Sequence, residues 1–439
     1  MPHALEDWKV AATNVGGIGA ALVLGGALLL AGCHGATDPD GRPEPIEQLP
    51  RALTTDEQGV IEASNRFGFA MLAELHGAEP DANLFTSPLS AHAALSMALT
   101  GARGSTSDAM AETLGFGAGG DAPSVEVVTE AYAGLYDLLL DLDPRVEMRN
   151  GNALWLDETF PFRDAWVTDV AEAFDARAEA VDFTDPGLPQ AINDWVDEAT
   201  AGRIREMVES VDPNEVLLLL NAIYFKGRWT DQFDSDDTRD APFTLPDGGT
   251  KSVRMMVRGG GELGVYRGPD AIVADLPYGG GAFRFTVVLP PEGGSLADLV
   301  EGLDAARWNT WMAGLAEDDV PVHLPRFTLE WEQELKDALE SLGMGIAFLP
   351  GRADFGGMLA DGFDAQAPGT DLHITRVKQK SFLAVNEEGT EAAAATSVGV
   401  GVTSAPTPVV VDRPFLLAIR ERLSGTIFFL GAIVDPPAG

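Results

Sequence analysis

A run of apolar residues near the middle of the chain, VLLLLNAIYFKGRW, most limits what this sequence can fold into. The run extends from Val216 to Trp229, and Asn221 is the one polar residue among its first eight. A strand with both faces buried has such a continuous pattern, whereas a half-exposed strand alternates. A buried Asn221 without hydrogen-bond partners would be costly. The sequence therefore predicts a central strand of a covered sheet, with polar groups of other elements around Asn221.

A second segment, residues 389–404, consists of small and β-branched residues and carries a single charge, Glu391. Every second residue from Thr390 to Val400 is uncharged, and the first proline arrives at Pro406. Alternate residues of a strand lie on opposite faces, so this segment can enter a sheet with one apolar face. An Ala-rich linker or helix is the other interpretation, because Ala is the best helix former.

Several blocks of the chain carry a family resemblance, and they occur in a fixed order. They are NLFTSPLSAHAALSMALTGARGSTSDAMAETLGF, INDWVDEATAGRIREMV, APFTLPDGGTKSVRMM, LPRFTLEWEQELKDALESLGM, NEEGTEAAAAT and PFLLAIRERLSGTIFFLGAIVDP. Together they resemble the serpins, a family of serine-protease inhibitors, over about residues 56–436. The resemblance implies a mixed α+β fold with three β-sheets, eight or nine helices and an exposed reactive centre loop at about residues 386–412.

The NEEGTEAAAAT block is similar to the hinge of inhibitory serpins, from which a cleaved loop inserts into a β-sheet as a new strand. The resemblance implies that small hinge residues allow entry, since bulky or charged side chains would block it. Gly supplies backbone freedom there. The implied hinge consists of Glu388, Gly389, Thr390, Glu391, Ala392, Ala393, Ala394, Ala395 and Thr396.

The family's spacing also implies a reactive bond. Counting 14 residues forward from Gly389, or 11 back from Pro414, reaches Thr403 in both cases. The implied bond is Thr403–Ser404, and a slip of a residue or two would place it after Val402 or Val400 instead. The implied partner is a serine protease that forms an acyl-enzyme there. A β-branched, uncharged Thr403 suits an elastase-like or subtilisin-like pocket, and a cysteine protease is a further option.

The resemblance assigns two more groups of residues. Polar residues beneath the main sheet, called the shutter, are Ser87, Ser90, Asn221 and Gln379. The family usually has His where this chain has Gln379, and Gln can donate and accept hydrogen bonds without titrating near neutrality. Trp229 lies where the family's loop first enters the sheet, in the region called the breach.

Composition excludes several functions. A formal net charge of −39 argues against nucleic acid, heparin-like polyanions and anionic membrane surfaces as partners. This acidity suits a salt-rich environment or simply favours solubility. The six histidines have no metal-ligand spacing, and the sequence lacks HExxH, G-x-S-x-G and P-loop motifs. We therefore expect no metal, no cofactor, no catalytic residues and a chain that is not an enzyme, and we expect a monomer.

The N-terminal segment is typical of an exported protein. Residues 16–33 are largely apolar and end at the single cysteine, Cys33. This resembles a bacterial lipoprotein signal, whereas a plain transmembrane anchor is the alternative. We expect residues 1–33 to be a signal with lipidation at Cys33, residues 34–55 a flexible acidic tether, and residues 56–439 the serpin domain, secreted or lipid-anchored on the extracellular or periplasmic face.

The sequence leaves two rival functions open. A non-inhibitory serpin with a carrier or structural role would share the fold, although its hinge would normally contain Pro or charge. A lipoprotein enzyme, or a cell-surface lipoprotein that binds a solute, would need a catalytic or ligand-binding constellation, and the sequence contains none that we can identify.

Overall fold

The structure is a computed structural model that describes residues 44–117, 123–364, 371–390 and 407–438. These residues form nine α-helices and two short 3₁₀ helices, Ser235–Asp237 and Met344–Phe348. No helix among them is apolar over a length that would span a bilayer. The α-helices are α1 Thr55–Ala78, α2 Pro88–Leu99, α3 Gly104–Thr113, α4 Val125–Leu139, α5 Asp164–Ala173, α6 Leu188–Ala199, α7 Leu296–Glu301, α8 Ala305–Ala313 and α9 Lys336–Ser341.

The described residues also form seventeen strands in three sheets. The strands are β1 Leu84–Thr86, β2 Val146–Asp157, β3 Ala176–Val181, β4 Leu217–Arg228, β5 Arg239–Thr244, β6 Thr250–Arg258, β7 Glu262–Arg267, β8 Ile272–Pro277, β9 Phe283–Leu289, β10 Ala316–Asp319, β11 Val322–Pro325, β12 Phe327–Glu334, β13 Lys378–Asn386, β14 Gly389–Thr390, β15 Val409–Val410, β16 Phe415–Glu421 and β17 Ile427–Ile433. The predicted α+β class with three sheets is confirmed.

The six-stranded sheet has the order β12-β13-β14-β4-β2-β3. The apolar run predicted as a central strand is β4, which pairs antiparallel with β2 along most of its length. Its two faces meet different cores. Ile223 and Phe225 belong to the main core, whereas Leu218 and Leu220 pack in a second core with residues of α6. This burial on both faces explains why the run does not alternate.

The other two sheets complete the main core. The seven-stranded sheet has the order β1-β17-β16-β9-β8-β7-β10, and every residue of β9, β16 and β17 is buried. The four-stranded sheet has the order β15-β11-β6-β5. Helix α2 contacts both β4 and β17, so it lies between the six-stranded and seven-stranded sheets. Small residues on this helix let the two sheets approach.

The N-terminal helix begins at a well-defined cap, one residue before the predicted start of the domain. Helix α1 begins at Thr55, and Thr54 caps it in a capping box with Glu57. Arg51 pairs with Glu57 at 2.7 Å and holds the pKa of that carboxyl below its usual range. Within the predicted 34–55 tether, Ile46, Leu49 and Leu53 are half-buried and pack against the main core, whereas the other residues from 44 to 54 are exposed.

Candidate functional site

The hinge begins inside the six-stranded sheet. Strand β14 lies between β13 and β4 and pairs antiparallel with both. Thr390 is opposite Val385 on one side and Gly227 on the other. Among the described residues, β14 is the link between β13 and β4, which are not paired directly with each other. The first two residues of the predicted insertion segment thus already occupy strand positions.

The rest of the loop, residues 391–406, lies outside the described part of the chain. The predicted reactive bond, Thr403–Ser404, falls there, and so do the hinge residues Glu391, Ala392, Ala393, Ala394, Ala395 and Thr396. Cys33 also lies outside the described residues, as does the whole predicted signal.

Gly389 lies where the chain has no room for a side chain. Its φ is 152°, and a Cβ added there would overlap the Gly227 carbonyl oxygen and lie 2.7 Å from the Arg228 Cα. No rotamer relieves a clash with backbone atoms, so a larger residue would push β14 off β4. The glycine of the hinge block is therefore required by close backbone approach.

Thr390 lies against a group of aromatic rings. It is 3% exposed, and its hydroxyl shares a hydrogen bond of 2.6 Å with the Tyr278 hydroxyl. Tyr278 stacks on Trp229 with ring centroids 4.5 Å apart and an interplanar angle of 8°. Burial raises the pKa of Tyr278 well above its usual range, so this phenol stays protonated. A charged side chain in place of Thr390 would enter this apolar setting without a partner.

Trp229, the residue predicted to mark the entry point, is bound to the hinge segment through its backbone and its ring. Its indole N–H donates to the Asn386 carbonyl at 2.9 Å, and its backbone N–H donates to the Glu388 carbonyl at 2.9 Å. The structure therefore brings Trp229, Glu388, Gly389 and Thr390 together at one end of the six-stranded sheet. We call this group, with Tyr278, the entry cluster.

The residue preceding Glu388 is also held. Glu387 is 8% exposed, accepts a hydrogen bond from the Thr238 hydroxyl at 2.8 Å and lies 3.4 Å from Arg326. Its carbonyl accepts the Phe233 N–H at 2.8 Å. Sequence reasoning missed these contacts and Tyr278. The sequence signal for Tyr278 was the triple glycine that follows it, which predicts a tight turn.

The predicted shutter residues form two buried hydrogen-bonded groups. In the first, Gln379 accepts the Ser87 N–H at 3.1 Å and donates to the Ser87 carbonyl at 2.9 Å. The Ser87 hydroxyl donates to the Phe428 carbonyl at 2.7 Å, which ties the group to the seven-stranded sheet. In the second, Ser90 donates to Asn221, and Asn221 donates to Asn152. Asn152 of β2 was not predicted, although its opposition to Asn221 follows from strand pairing.

A cavity of about 110 Å³ lies at the other end of the β4–β13 region. Apolar side chains of α2 and β4 form much of its wall, and polar and apolar residues of the segment before β13 also line it. Leu217, Leu219, Thr375 and Val377 are among its lining residues. In the described part of the chain, no group of His, Cys, Asp and Glu has the arrangement of a metal site.

Comparisons with known proteins agree on one family. The sequence profile described as Serpin (serine protease inhibitor) matches residues 62–436. An uncharacterised serpin-like protein of Thermococcus kodakarensis is 35% identical over 87% of each chain. The leukocyte elastase inhibitor of Sus scrofa is 34% identical over 85% of this chain and 98% of its own.

Solved structures resemble the chain over a similar extent. Human thyroxine-binding globulin, in complex with its hormone, has a TM-score of 0.77 at 26% identity and covers 87% of this chain and 100% of its own. The native state of the thermophilic protein tengpin has a TM-score of 0.75 at 26% identity and covers 90% of this chain and 97% of its own.

Proposed function

The chain belongs to the serpin family of serine protease inhibitors, and on that premise we propose that it inhibits a serine protease by inserting its cleaved loop into the six-stranded sheet. The protease attacks Thr403–Ser404 and forms an acyl-enzyme through its own serine. The freed loop then inserts between β13 and β4 and carries the protease with it. Distortion of the protease active site stops deacylation, because the triad and the oxyanion hole are displaced.

The observation that carries this proposal is the register of β14. Extending the pairing of Thr390 with Gly227 and Val385 assigns each later loop residue a partner on β4 and on β13. Because side chains alternate between faces, the even-numbered residues after Thr390 would all face the main core. These are Ala392, Ala394, Thr396, Val398 and Val400.

The chemistry along that register fits at each step. Ala392 would lie between Phe225 and Leu383, two large core residues beside which an apolar methyl group is compatible. Thr396 would lie between Asn221 and Gln379, so a hydroxyl would meet the polar groups. A one-residue slip would bring charged Glu391 to the core face instead.

The loop residues furthest from Thr390 in this register would reach the cavity. Val398 would lie between Leu219 and Val377, and Val400 between Leu217 and Thr375, all four of which line it. Burial of a Val side chain contributes about 1.5–3 kcal/mol. The segment that sequence analysis could interpret as either strand or linker thus has a matching place in the sheet.

The class of protease that the loop would attract depends on Thr403, the residue before the proposed bond. Thr403 is uncharged and β-branched, which favours an elastase-like or subtilisin-like pocket over one built for Arg or Lys. The relative from Sus scrofa, named as an inhibitor of leukocyte elastase, supports this choice. We further propose that Cys33 carries a lipid that anchors the protein at the cell envelope.

The deciding experiment mixes the protein with pancreatic elastase and, separately, with subtilisin. A covalent complex that survives SDS, with the new N-terminus at Ser404 after its release, is the expected result. Clean loop cleavage without a complex for both enzymes would contradict inhibition of this class and favour a non-inhibitory serpin.

A further inference from the structure

A short N-terminal segment, residues 44–47, lies on the turn formed by Tyr278, Gly279, Gly280 and Gly281. The Ile46 N–H donates to the Gly280 carbonyl at 2.8 Å. Arg422 joins the two pieces, because its guanidinium donates to the Ile46 carbonyl at 2.8 Å and to the Gly281 carbonyl at 2.9 Å. Ile46 also packs against the main core.

The contact between segment and turn is close at Gly280. A Cβ added there would lie 2.8 Å from the Glu44 carbonyl oxygen and 3.0 Å from the Ile46 side chain. The N–H of Gly280 is also bound, donating to the Asp143 carboxylate at 2.7 Å. The turn is therefore held on its outer side by residues far from it in sequence.

The inner side of the same turn belongs to the entry cluster. Tyr278 bears the hydroxyl that binds Thr390 and the ring that stacks on Trp229. The Gly279 N–H donates to the Arg228 carbonyl at 2.8 Å, and the Gly279 carbonyl accepts the Thr230 hydroxyl at 2.8 Å. Direct contacts thus connect Ile46 to the turn, and the turn to Thr390.

We propose that residues 44–47 position the hinge through this turn, so that the N-terminal segment sets how readily the loop begins to insert; this rests on the inhibitory function proposed above. A strand that must form its first pair loses chain entropy before it gains hydrogen bonds. Because Gly389 and Thr390 are already paired with β13 and β4, the loop does not have to form its first strand pair. Contacts of residues 44–47 with the turn hold Tyr278 in place, and Tyr278 keeps Gly389 and Thr390 paired in the sheet. Loop insertion is then faster than deacylation of the protease. Ile46 and Tyr278 are positioning residues in this scheme.

The test uses three full-length variants and a control. Gly280→Ala adds a side chain that displaces residues 44–46 from the turn. Ile46→Pro removes the backbone N–H that donates to the Gly280 carbonyl. Tyr278→Phe removes the hydroxyl group but keeps the aromatic ring. Gly259→Ala is the control, since a Cβ there meets nothing within 4 Å. Hydrogen exchange of the peptide containing Gly389 and Thr390 reports hinge seating. The stoichiometry of inhibition, meaning inhibitor molecules consumed per protease trapped, reports the partition between insertion and deacylation.

We expect all three variants to speed exchange at the hinge and to raise the stoichiometry severalfold, while Gly259→Ala changes neither. The effect of the double variant Gly280→Ala/Tyr278→Phe should be smaller than the product of the two single effects, because both substitutions act through Tyr278. The proposal would be overturned if the increases in stoichiometry from the two single variants multiplied in the double variant. It would also be overturned if hinge exchange in Gly280→Ala and Ile46→Pro stayed at the level of the Gly259→Ala control. If the wild type traps no protease, the proposed function fails, yet hinge exchange still decides the positioning role.

Discussion

Gln379 and Ser87 exchange two hydrogen bonds, one through each polar atom of the Gln379 amide, as two peptide groups would in a sheet. Ser87 caps α2 and Gln379 belongs to β13. The pair therefore joins the helix between the sheets to the strand that borders the proposed insertion path. It uses an amide where the family usually has an imidazole, so its charge does not change with pH.

The first prediction concerns this amide. Gln379→Leu should destabilise the protein by about 1–3 kcal/mol for each backbone group of Ser87 left buried without a partner. Gln379→His should instead make unfolding more sensitive to pH between about 6.5 and 5, since a buried imidazole resists protonation. Urea unfolding at pH 8 and pH 5.5 measures both effects. A Leu variant as stable as the wild type would show that this pair does not hold the helix.

The second prediction concerns a buried histidine of α2. His92 lies between the Tyr132 hydroxyl and the Leu114 carbonyl, and burial lowers its pKa from 6.5 to about 4. The unfolded chain binds this proton near pH 6.5, so His92 stabilises the fold above that pH. This stability is lost as pH falls from about 6.5 toward 4, by on the order of 3 kcal/mol.

Unfolding midpoints measured from pH 8 to pH 4 check this sign. His92→Gln keeps a donor for the Leu114 carbonyl and should flatten the pH dependence over that window. Burial also lowers the pKa of His76, so some dependence should persist in the variant. An identical slope in wild type and His92→Gln would contradict the assignment.

The third prediction tests entry of the hinge. Thr390→Arg places a charge beside Tyr278, where the described structure offers an aromatic setting, and should convert the inhibitor into a substrate that is cleaved and released. The matched variant Glu391→Gln alters charge on the opposite face and should remain inhibitory. The stoichiometry of inhibition separates the two, and an unchanged value for Thr390→Arg would refute insertion at this position.

The fourth prediction compares intact and cleaved forms. Insertion adds a central strand and the ladder hydrogen bonds of roughly a dozen residues, each contributing about 0.5–1.5 kcal/mol. The protein cut at Thr403–Ser404 by an untrapped protease should therefore melt tens of degrees higher than the intact form. Both forms must be heated at one scan rate, because a transition controlled by an unfolding rate depends on how fast the sample is heated. Equal melting temperatures would mean that no strand is added.

The fifth prediction concerns the N-terminal segment. Cys33→Ser should leave the precursor unprocessed and free of lipid, while the purified variant still inhibits. Mass spectrometry of the mature N-terminus gives the answer. A mature chain beginning upstream of Cys33, or beginning there without lipid, would contradict the lipoprotein proposal.

Sequence reasoning identified the parts of the site that belong to one strand or one recognisable block. β4 was visible from its continuous apolar run, and Ser87, Gln379 and Trp229 came from blocks similar to the family. In the structure Ser87 lies beside Gln379, and Trp229 lies beside Glu388, whereas the roles of these residues in insertion stay predictions.

Contacts made between distant segments were not visible in the sequence. Tyr278 and Thr390 are 112 residues apart, and the Arg422–Ile46 contact joins residues 376 apart. Nothing in the local pattern around Ile46 distinguishes a packed segment from a polar tether, because one apolar residue among Pro and Glu is typical of both. Only tertiary contacts, such as the packing of Ile46, Leu49 and Leu53 on the main core, distinguish the two.

The two-residue strand β15 limits how the proposed loop insertion could occur in an uncut chain. Val409 and Val410 pair with Val322 and His323 of β11. As an inserted strand, the stretch from Thr390 to Val402 would extend roughly 40 Å along the sheet. The short connection from Val402 to Val409 reaches back at most about 25 Å.

Strand β15 lies near the hinge end of the six-stranded sheet, since its partner Val322 is opposite Arg258, which donates to the Asp231 carbonyl. If the loop inserts as proposed, an uncut chain would have to separate these two residue pairs before its whole loop could enter the sheet. A cut in the loop would remove that requirement. Spontaneous loss of inhibition by the intact protein would then depend on the four-stranded sheet rather than on β13 and β4.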